Sequence, residues 1–270
     1  MMDNQQFDDK WQKTLNQDKF EETDIFVPKG FKPKTQRQLT FVNYHQLIKS
    51  FIGGKKIETG LELGCGRGTI SLYLSSYDGV KMTLLDLSED AIKLARNNFE
   101  NHNQEGKFVV GDSGKLPFED NSFDLTISMG LLEHLSDYPQ TIKEQYRVLK
   151  PGGVMISMNV PGKFSIQVIN KIYKFFKKIF QPVAKLQSDY CRYDDKPEVY
   201  KKKAEAAGFV NCYTVNANPI PLLAPMGLKW DKRVTLIWKL IIGLRKLFLK
   251  QAYKTNHLIS QCHFLIGYKK

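Results

Sequence analysis

The sequence predicts an α/β domain built on a parallel sheet. Short apolar strands alternate with helix-length segments from about residue 57 onward, which is the pattern of strands joined by helical crossovers. A glycine-rich turn directly follows the first of these strands, as in nucleotide-binding α/β proteins. The chain has 270 residues, 42% hydrophobic and 25% charged, so it can form a core and is unlike a disordered chain.

Each predicted element has a local signal. A helix with apolar residues at near-helical spacing from Leu39 to Phe51 ends at a pair of glycines, residues 53–54. Ser88 is a typical cap for another helix. Further helices are predicted at 69–77, 136–149, 164–183 and 197–209. Strands are predicted at 59–63, 81–86, 107–110, 123–128, 154–159, 210–215 and 263–268.

Two apolar, basic insertions interrupt this alternation, at about residues 162–196 and 216–257. The predicted organisation is therefore an N-terminal arm and helix over residues 1–52, followed by one domain with insertions over residues 53–270.

Charge is distributed unevenly along the chain. Residues 1–150 hold 19 Lys and Arg against 22 Asp and Glu, a net charge of −3, whereas residues 151–270 hold 21 against 6, a net charge of +15. This asymmetry favours an anionic partner, such as nucleic acid, membrane phosphates or an acidic substrate. The alternative is that the lysines only keep an apolar half of the chain soluble. Because no zinc finger or RNA-binding module is evident, nucleic acid is the least favoured partner.

The spacing of the four cysteines and the first residues of the chain indicate the cellular compartment. Cys65, Cys191, Cys212 and Cys262 are far apart with no CxxC pair, which indicates reduced thiols and no metal site. The polar, acidic first residues do not resemble a signal peptide. The longest apolar run, residues 234–249, is broken by three basic residues and is too short to span a bilayer. We therefore expect a cytoplasmic protein, with peripheral membrane contact as an open alternative.

The strongest local signal is the turn at residues 62–68, Glu-Leu-Gly-Cys-Gly-Arg-Gly. Glycines let the backbone turn sharply and approach a ligand closely. Asp86 ends the next strand, where its carboxylate can accept hydrogen bonds from both hydroxyls of a ribose. That arrangement suits both NAD and S-adenosylmethionine, but the spacing GxGxG, in place of GxGxxG, and the preceding Glu62 favour the second. Glu62 can orient the ammonium group of such a ligand, directly or through water.

Five motifs in order carry a resemblance to a known family: LELGCGRG, LLDLSEDAIKLA, GDSGKLPFEDNSFD, SMGLLEHL and YRVLKPGG. Over residues 57–160 the chain resembles the class I methyltransferases, especially the branch similar to the quinone-biosynthesis enzymes. The resemblance implies a Rossmann-like seven-stranded, mostly parallel sheet with helices on both faces and an antiparallel final strand. It also implies the cofactor S-adenosyl-L-methionine and methyl transfer to an O, N or C nucleophile of a small or lipid-like acceptor.

The resemblance also implies a set of cofactor-binding residues: Glu62, Gly64, Gly66, Gly68, Asp86, Leu87, Asp112, Ser113 and Met129. In the family pattern the three glycines line the methionine part of the cofactor and Asp86 binds the ribose. Leu87 packs on the adenine, and Asp112 accepts a hydrogen bond from the adenine amino group beside the Ser113 backbone. Met129 lies close to the bound cofactor.

The catalytic residues are less clearly encoded. Methyl transfer is an in-line displacement, so alignment and desolvation supply much of the rate, and a base is needed only when the acceptor loses a proton. His134 is the first candidate base, because imidazole titrates near neutral pH; the alternative is a structural histidine. Glu133 and Tyr138 are further candidates.

The insertions suggest a lid. Residues 164–183 form an apolar stripe that ends at Val183, with lysines at 171, 174, 177 and 178. One hypothesis is a lid that admits a lipid-like substrate and contacts an anionic membrane; the alternative is a lid that packs its stripe on the protein. A non-catalytic cofactor-binding scaffold or partner subunit, and a nucleic-acid methyltransferase, are the other functions considered. The intact glycines and ribose acid favour an enzyme.

Overall fold

A computed structural model describes residues 11–12, 24–160, 167–180, 193, 195–249 and 252–270. Within this part of the chain the strands form one seven-stranded sheet. They are β1 Thr59–Leu63, β2 Lys81–Asp86, β3 Lys107–Val110, β4 Phe123–Met129, β5 Leu149–Asn159, β6 Val210–Ala217 and β7 Cys262–Tyr268.

The order across the sheet is β3-β2-β1-β4-β5-β7-β6. The first five strands of this order run parallel, whereas β7 is antiparallel to both β5 and β6. The predicted Rossmann-like, mostly parallel sheet with an antiparallel final strand is therefore confirmed. The strand order reverses between β1 and β4, and the crevice beyond the carboxyl ends of such strands is where ligands bind in open α/β sheets.

Helices cover both faces of the sheet. They are α1 Gln36–Ile52, α2 Thr69–Asp78, α3 Glu89–Asn101, α4 Tyr138–Val148, α5 Gln167–Phe180, α6 Pro197–Ala206 and α7 Leu228–Phe248. The predicted cap of α3 is present, because the Ser88 side chain accepts a hydrogen bond from the Ala91 N–H. The predicted end of α1 is also present, at Gly53 in the left-handed region.

Alternate residues of the strands enter two cores. Ile127 and Ile156 pack on one face with α1, α2 and α3, and Ile48 of α1 is fully buried there. Met155 and Leu265 pack on the other face with α4 and α6. Since α1 belongs to the main core, the helix predicted as part of an N-terminal unit packs directly on the domain; the boundary at residue 52 stays a prediction.

Several predicted boundaries differ from the structure. The fifth strand was expected to begin at residue 154 but begins at Leu149, because the segment Pro151–Gly153 continues the strand past an irregularity in its pairing with β4. The helix predicted at 136–149 begins two residues later, where Asp137 caps it. The helix at 197–209 ends at Ala206. Of the helix predicted at 164–183, the described part is Gln167–Phe180; Val183 and Cys191 lie outside the described residues.

Candidate functional site

A cavity of about 380 Å³ lies beyond the carboxyl ends of β1, β2 and β4. Its volume is in the range of small-molecule and cofactor sites. The residues proposed from the sequence that line it are Glu62, Gly64, Gly66, Asp86, Leu87, Asp112, Ser113, Met129 and His134. Residues from four of the five sequence motifs thus meet at the crevice that the strand order creates; the fifth, YRVLKPGG, contributes none to the lining.

The glycine turn is held to the end of β2. The Gly66 N–H donates to Oδ2 of Asp86 at 2.9 Å, and Oδ1 of the same carboxylate accepts from the Ser88 N–H at 3.0 Å. Gly66 has a φ of 50°, a conformation that side-chain-bearing residues rarely adopt. Each carboxylate oxygen has two lone pairs, so Asp86 can accept further hydrogen bonds from a ligand in the cavity.

Gly68 differs from the other two glycines because it is not part of the cavity lining. It is the N-cap of α2, with a φ of 63°, and a Cβ atom there would overlap the Leu84 side chain. The structure therefore gives Gly68 a packing role, the close approach of α2 to β2.

Glu62 lies inside the cavity wall and is only 2% exposed. Its Oε2 accepts hydrogen bonds from the backbone N–H and the hydroxyl of Ser71 in α2. Burial raises the pKa of the Glu62 carboxyl to about 7, although the two bonds from Ser71 act in the opposite direction. A cationic group in the cavity would favour the ionised carboxylate.

The opposite end of the cavity is formed by the segments that follow β2 and β3. Leu87 is 56% exposed, unusual for a large apolar side chain, and faces the cavity as part of its lining. Asp112 accepts from the Gly114 N–H at 2.8 Å, which fixes the turn. Ser113 is buried, with its hydroxyl 3.4 Å from the Thr141 hydroxyl. An apolar surface beside a carboxylate suits a flat heterocycle with an amino group.

His134 ends a short 3₁₀ helix, Leu132–His134, that follows β4. The residue lines the cavity and is 8% exposed, and its backbone N–H donates to the Leu131 carbonyl at 2.9 Å. His134 is therefore close to any ligand held between β1 and β4.

The two further candidate bases, Glu133 and Tyr138, are not part of the cavity lining. Oε1 of Glu133 accepts from the Val160 N–H at 2.9 Å, which ties the 3₁₀ helix to the end of β5. The Tyr138 hydroxyl donates to Asp195 at 2.6 Å, and burial together with this carboxylate raises the pKa of the Tyr138 hydroxyl. Both contacts are structural.

Sequence reasoning missed the apolar wall that the N-terminal part of the chain provides. Trp11, Ile25 and Phe41 line the cavity, and a Cβ atom on Gly66 would lie 2.7 Å from the Trp11 ring. The sequence marks this wall only by two aromatic residues, Trp11 and Phe41, which do not belong to any predicted core stripe. Arg67, within the glycine turn, also lines the cavity and was not singled out.

Within the described residues, no cluster of three or more histidines, cysteines or acidic residues could hold a metal ion. The described helices also include none that is long and apolar enough to cross a membrane.

The sequence matches known proteins over this same region. Residues 61–157 match the methyltransferase domain family. Demethylmenaquinone methyltransferase of Staphylococcus aureus (strain JH9) is 32% identical over 183 residues, covering 62% of this chain and 74% of that protein.

Solved structures show the same fold. An S-adenosylmethionine-dependent methyltransferase from Thermotoga maritima has a TM-score of 0.54 at 19% identity, covering 85% of this chain and 89% of that one. Phosphoethanolamine N-methyltransferase 2 from Haemonchus contortus, in complex with S-adenosyl-L-methionine, has a TM-score of 0.56 at 17% identity, covering 96% of this chain and 60% of that one.

Proposed function

Because the chain belongs to the class I S-adenosylmethionine-dependent methyltransferases, we propose that it transfers a methyl group from S-adenosyl-L-methionine to a lipid-like acceptor. One observation carries this proposal. The glycine turn, Asp86 and His134 line one cavity with an apolar wall that includes Ile25 and Phe41. That wall has the chemistry needed to hold an apolar acceptor beside a polar cofactor.

The residues of the cavity fit this cofactor. Asp86, which holds Gly66, would accept from the ribose hydroxyls, and Leu87, which lines the cavity, would pack on the adenine. Asp112 would accept from the adenine amino group, beside the Ser113 backbone. Gly64 and Gly66 would line the methionine part with their backbone, next to Met129. Bound there, the cofactor supplies an already activated methyl group.

Glu62 contributes the negative charge at the methionine end. A carboxylate that burial holds near pKa 7 gains by facing an ammonium group, since the opposite charge offsets the loss of hydration. Ser71 keeps the carboxylate in place through two hydrogen bonds.

The chain's own catalytic contribution is alignment, exclusion of water and, for an acidic acceptor, removal of a proton. The apolar wall would exclude water from the reacting groups and hold the acceptor in place beside the cofactor. We assign His134 as the general base, because His134 lines the cavity whereas Glu133 and Tyr138 do not. An acceptor hydroxyl or activated carbon would give its proton to this imidazole.

A lipid-like acceptor is favoured over a soluble metabolite by two observations. The cavity wall contributed by the N-terminal part is apolar, with Trp11, Ile25 and Phe41. The Staphylococcus relative, similar over 62% of this chain, is named as a demethylmenaquinone methyltransferase.

A labelled-methyl experiment tests this function. Purified protein is incubated with S-adenosylmethionine carrying a labelled methyl group and with a cell extract, and the organic, aqueous and macromolecular fractions are counted separately. The control is Asp86→Ala. We expect label in the organic fraction with the unmodified protein and little with the variant.

Other distributions would contradict parts of the proposal. Label in the aqueous fraction would assign a soluble acceptor, and label in the macromolecular fraction would favour a nucleic-acid or protein acceptor. No label in any fraction, with cofactor binding intact, would favour the non-catalytic scaffold.

A further inference from the structure

Helix α5 contacts the protein through its polar side. The Asn170 side chain accepts from the Ala224 N–H at 3.1 Å, and the Tyr173 hydroxyl donates to the Pro225 carbonyl at 2.8 Å. Lys177 donates to the same carbonyl at 2.6 Å. These three residues follow a spacing of three and four, so they lie on one side of the helix.

The apolar side chains of α5 lie on a different side, roughly 140° away around the axis. They are 46–62% exposed: Ile169, Ile172, Phe175, Phe176 and Ile179. Lys171 and Lys178 are exposed along one edge of this stripe. The helix thus faces the protein with polar groups and shows its apolar stripe outward, the reverse of an ordinary half-buried helix.

Helix α7 also shows an apolar stripe outward, although its inner side is partly apolar. Its inner side contacts α1: Trp238 donates to the Gln36 side chain at 3.2 Å, and Ile242 packs on Leu39. The opposite side carries large apolar residues that are 48–77% exposed: Leu236, Ile237, Leu240, Leu244, Leu247 and Phe248. Lys232 and Lys239 lie along one edge of that stripe.

One connection joins the two helices. The Gln36 side chain at the start of α1 forms hydrogen bonds with both the N–H and the carbonyl of Leu223, two residues before the carbonyl that α5 binds. Both helices are therefore attached around the start of α1, the helix that also carries Phe41 into the cavity wall. We call the outward stripes of α5 and α7, with their edge lysines, the docking surface.

We propose that the docking surface binds the face of an anionic phospholipid membrane. Its apolar side chains would enter the boundary of the acyl chains while its lysines contact the headgroup phosphates, as interfacial amphipathic helices do. Charge complementarity favours an anionic membrane as the partner, since residues 151–270 carry a net charge of +15. A second copy of the chain would instead bring two lysine-rich edges together.

The inference deepens the proposed function, because docking would bring the cavity next to a lipid-like acceptor. It is nevertheless tested without turnover. Flotation with vesicles of phosphatidylcholine containing one quarter phosphatidylglycerol measures binding, and vesicles of phosphatidylcholine alone are the lipid control. Binding of S-adenosylhomocysteine, measured in parallel, reports separately on the cofactor site.

Two variants probe the two components of the surface. Phe175→Ser with Phe176→Ser removes apolar area at exposed positions, and Lys171→Glu with Lys178→Glu reverses the edge charge. The matched control for the second variant is Lys202→Glu with Lys203→Glu. It changes net charge equally but lies on α6, which packs on the opposite face of the sheet.

We expect binding to the anionic vesicles and at least about tenfold weaker partition for each test variant, with the α6 control close to the unmodified protein. Raising salt to about 1 M should weaken binding, because the Debye length shortens to about 3 Å. S-adenosylhomocysteine binding should be equal in all of them.

Three results would overturn the inference. The unmodified protein could fail to float with anionic vesicles. The apolar variant could bind as well as the unmodified protein. The protein could instead form a dimer in sedimentation that Phe175→Ser with Phe176→Ser dissociates, without vesicle binding, which would assign the surface to self-association. If S-adenosylhomocysteine binding were also absent, the proposed function itself would fail.

Discussion

Asp86 has two tasks at the end of β2, since its carboxylate holds the glycine turn through Gly66 and faces the cavity. Asp86→Ala should weaken S-adenosylhomocysteine binding by about 1.5–3 kcal/mol, or roughly tenfold or more in Kd, because charged hydrogen bonds to the ribose are lost. Calorimetric titration measures this. Asp90→Ala, four residues on and outside the cavity lining, is the control; equal Kd values for both variants would contradict the assignment of Asp86.

If Glu62 faces the ammonium group of the cofactor as proposed, cofactor binding should depend on pH. The pKa of Glu62 is raised to about 7 in the free protein, so the carboxyl takes up a proton as the pH falls through 7 and loses the charge that attracts an ammonium group. We expect the affinity for S-adenosylhomocysteine to decline from pH 8 to pH 6, and Glu62→Gln to remove most of this dependence at the cost of affinity. A pH dependence unchanged in Glu62→Gln would show that another group is responsible.

His134 is assigned to proton removal and not to cofactor binding. His134→Gln should therefore lower the rate of methyl transfer to the organic-phase acceptor by at least about a hundredfold, with the Kd for S-adenosylhomocysteine within twofold. Tyr138→Phe, which breaks the bond to Asp195 outside the cavity lining, is the comparison for a structural contact near the same segment. Full activity of His134→Gln would contradict this assignment and indicate that His134 is a structural residue.

Single residues were predictable where a contact is encoded in a local motif. The glycine turn and Asp86 follow this rule, since a sharp turn and a strand-end carboxylate each leave a short sequence signal. Trp11 and Phe41 reach the cavity from elements distant in sequence, so no local pattern marks them. Gly68 shows the limit of a motif: its place in the pattern does not distinguish contact with a ligand from the packing of α2 on Leu84.

At the scale of elements, the packing of α2 on the sheet depends on Gly68. Gly68→Ala should lower the free energy of unfolding by about 1–3 kcal/mol more than Gly79→Ala does. Both glycines have positive φ and flank the same helix, but a Cβ atom at Gly79 meets nothing within 4 Å. Urea denaturation of the two variants measures the difference, and equal losses would mean that backbone conformation alone is responsible.

Helix α5 shows what periodicity can and cannot predict. Over the described part, Gln167–Phe180, the apolar stripe and the lysines lie where the period of 3.6 residues predicts them. The side of the helix that faces the protein is set by its contact with the carbonyl of Pro225, which lies 48 residues from Lys177 in the chain.

The start of β5 was also missed because it depends on a distant partner. Pro151 and Gly152 usually end an element, but here the strand continues through them because it pairs with β4.

For the whole molecule, alternation along the chain predicted the parallel part of the sheet, because right-handed crossovers leave few arrangements. The antiparallel direction of β7 was expected only from the family resemblance, and its position between β5 and β6 was not predicted. The pairing of β7 with β5 joins Asn159 to His263, far apart in the chain, and no local signal specifies such a pairing. The uneven charge was visible in the sequence, but only the structure shows lysines beside exposed apolar stripes.

The central claim is that this cavity is an S-adenosylmethionine site. The most direct test is calorimetric titration of the purified protein with S-adenosylhomocysteine and, separately, with NAD, since both ligands carry a ribose that a strand-end carboxylate can bind. We predict one-to-one binding of S-adenosylhomocysteine that weakens in Asp86→Ala, and no measurable binding of NAD. Binding of NAD without binding of S-adenosylhomocysteine would contradict the account.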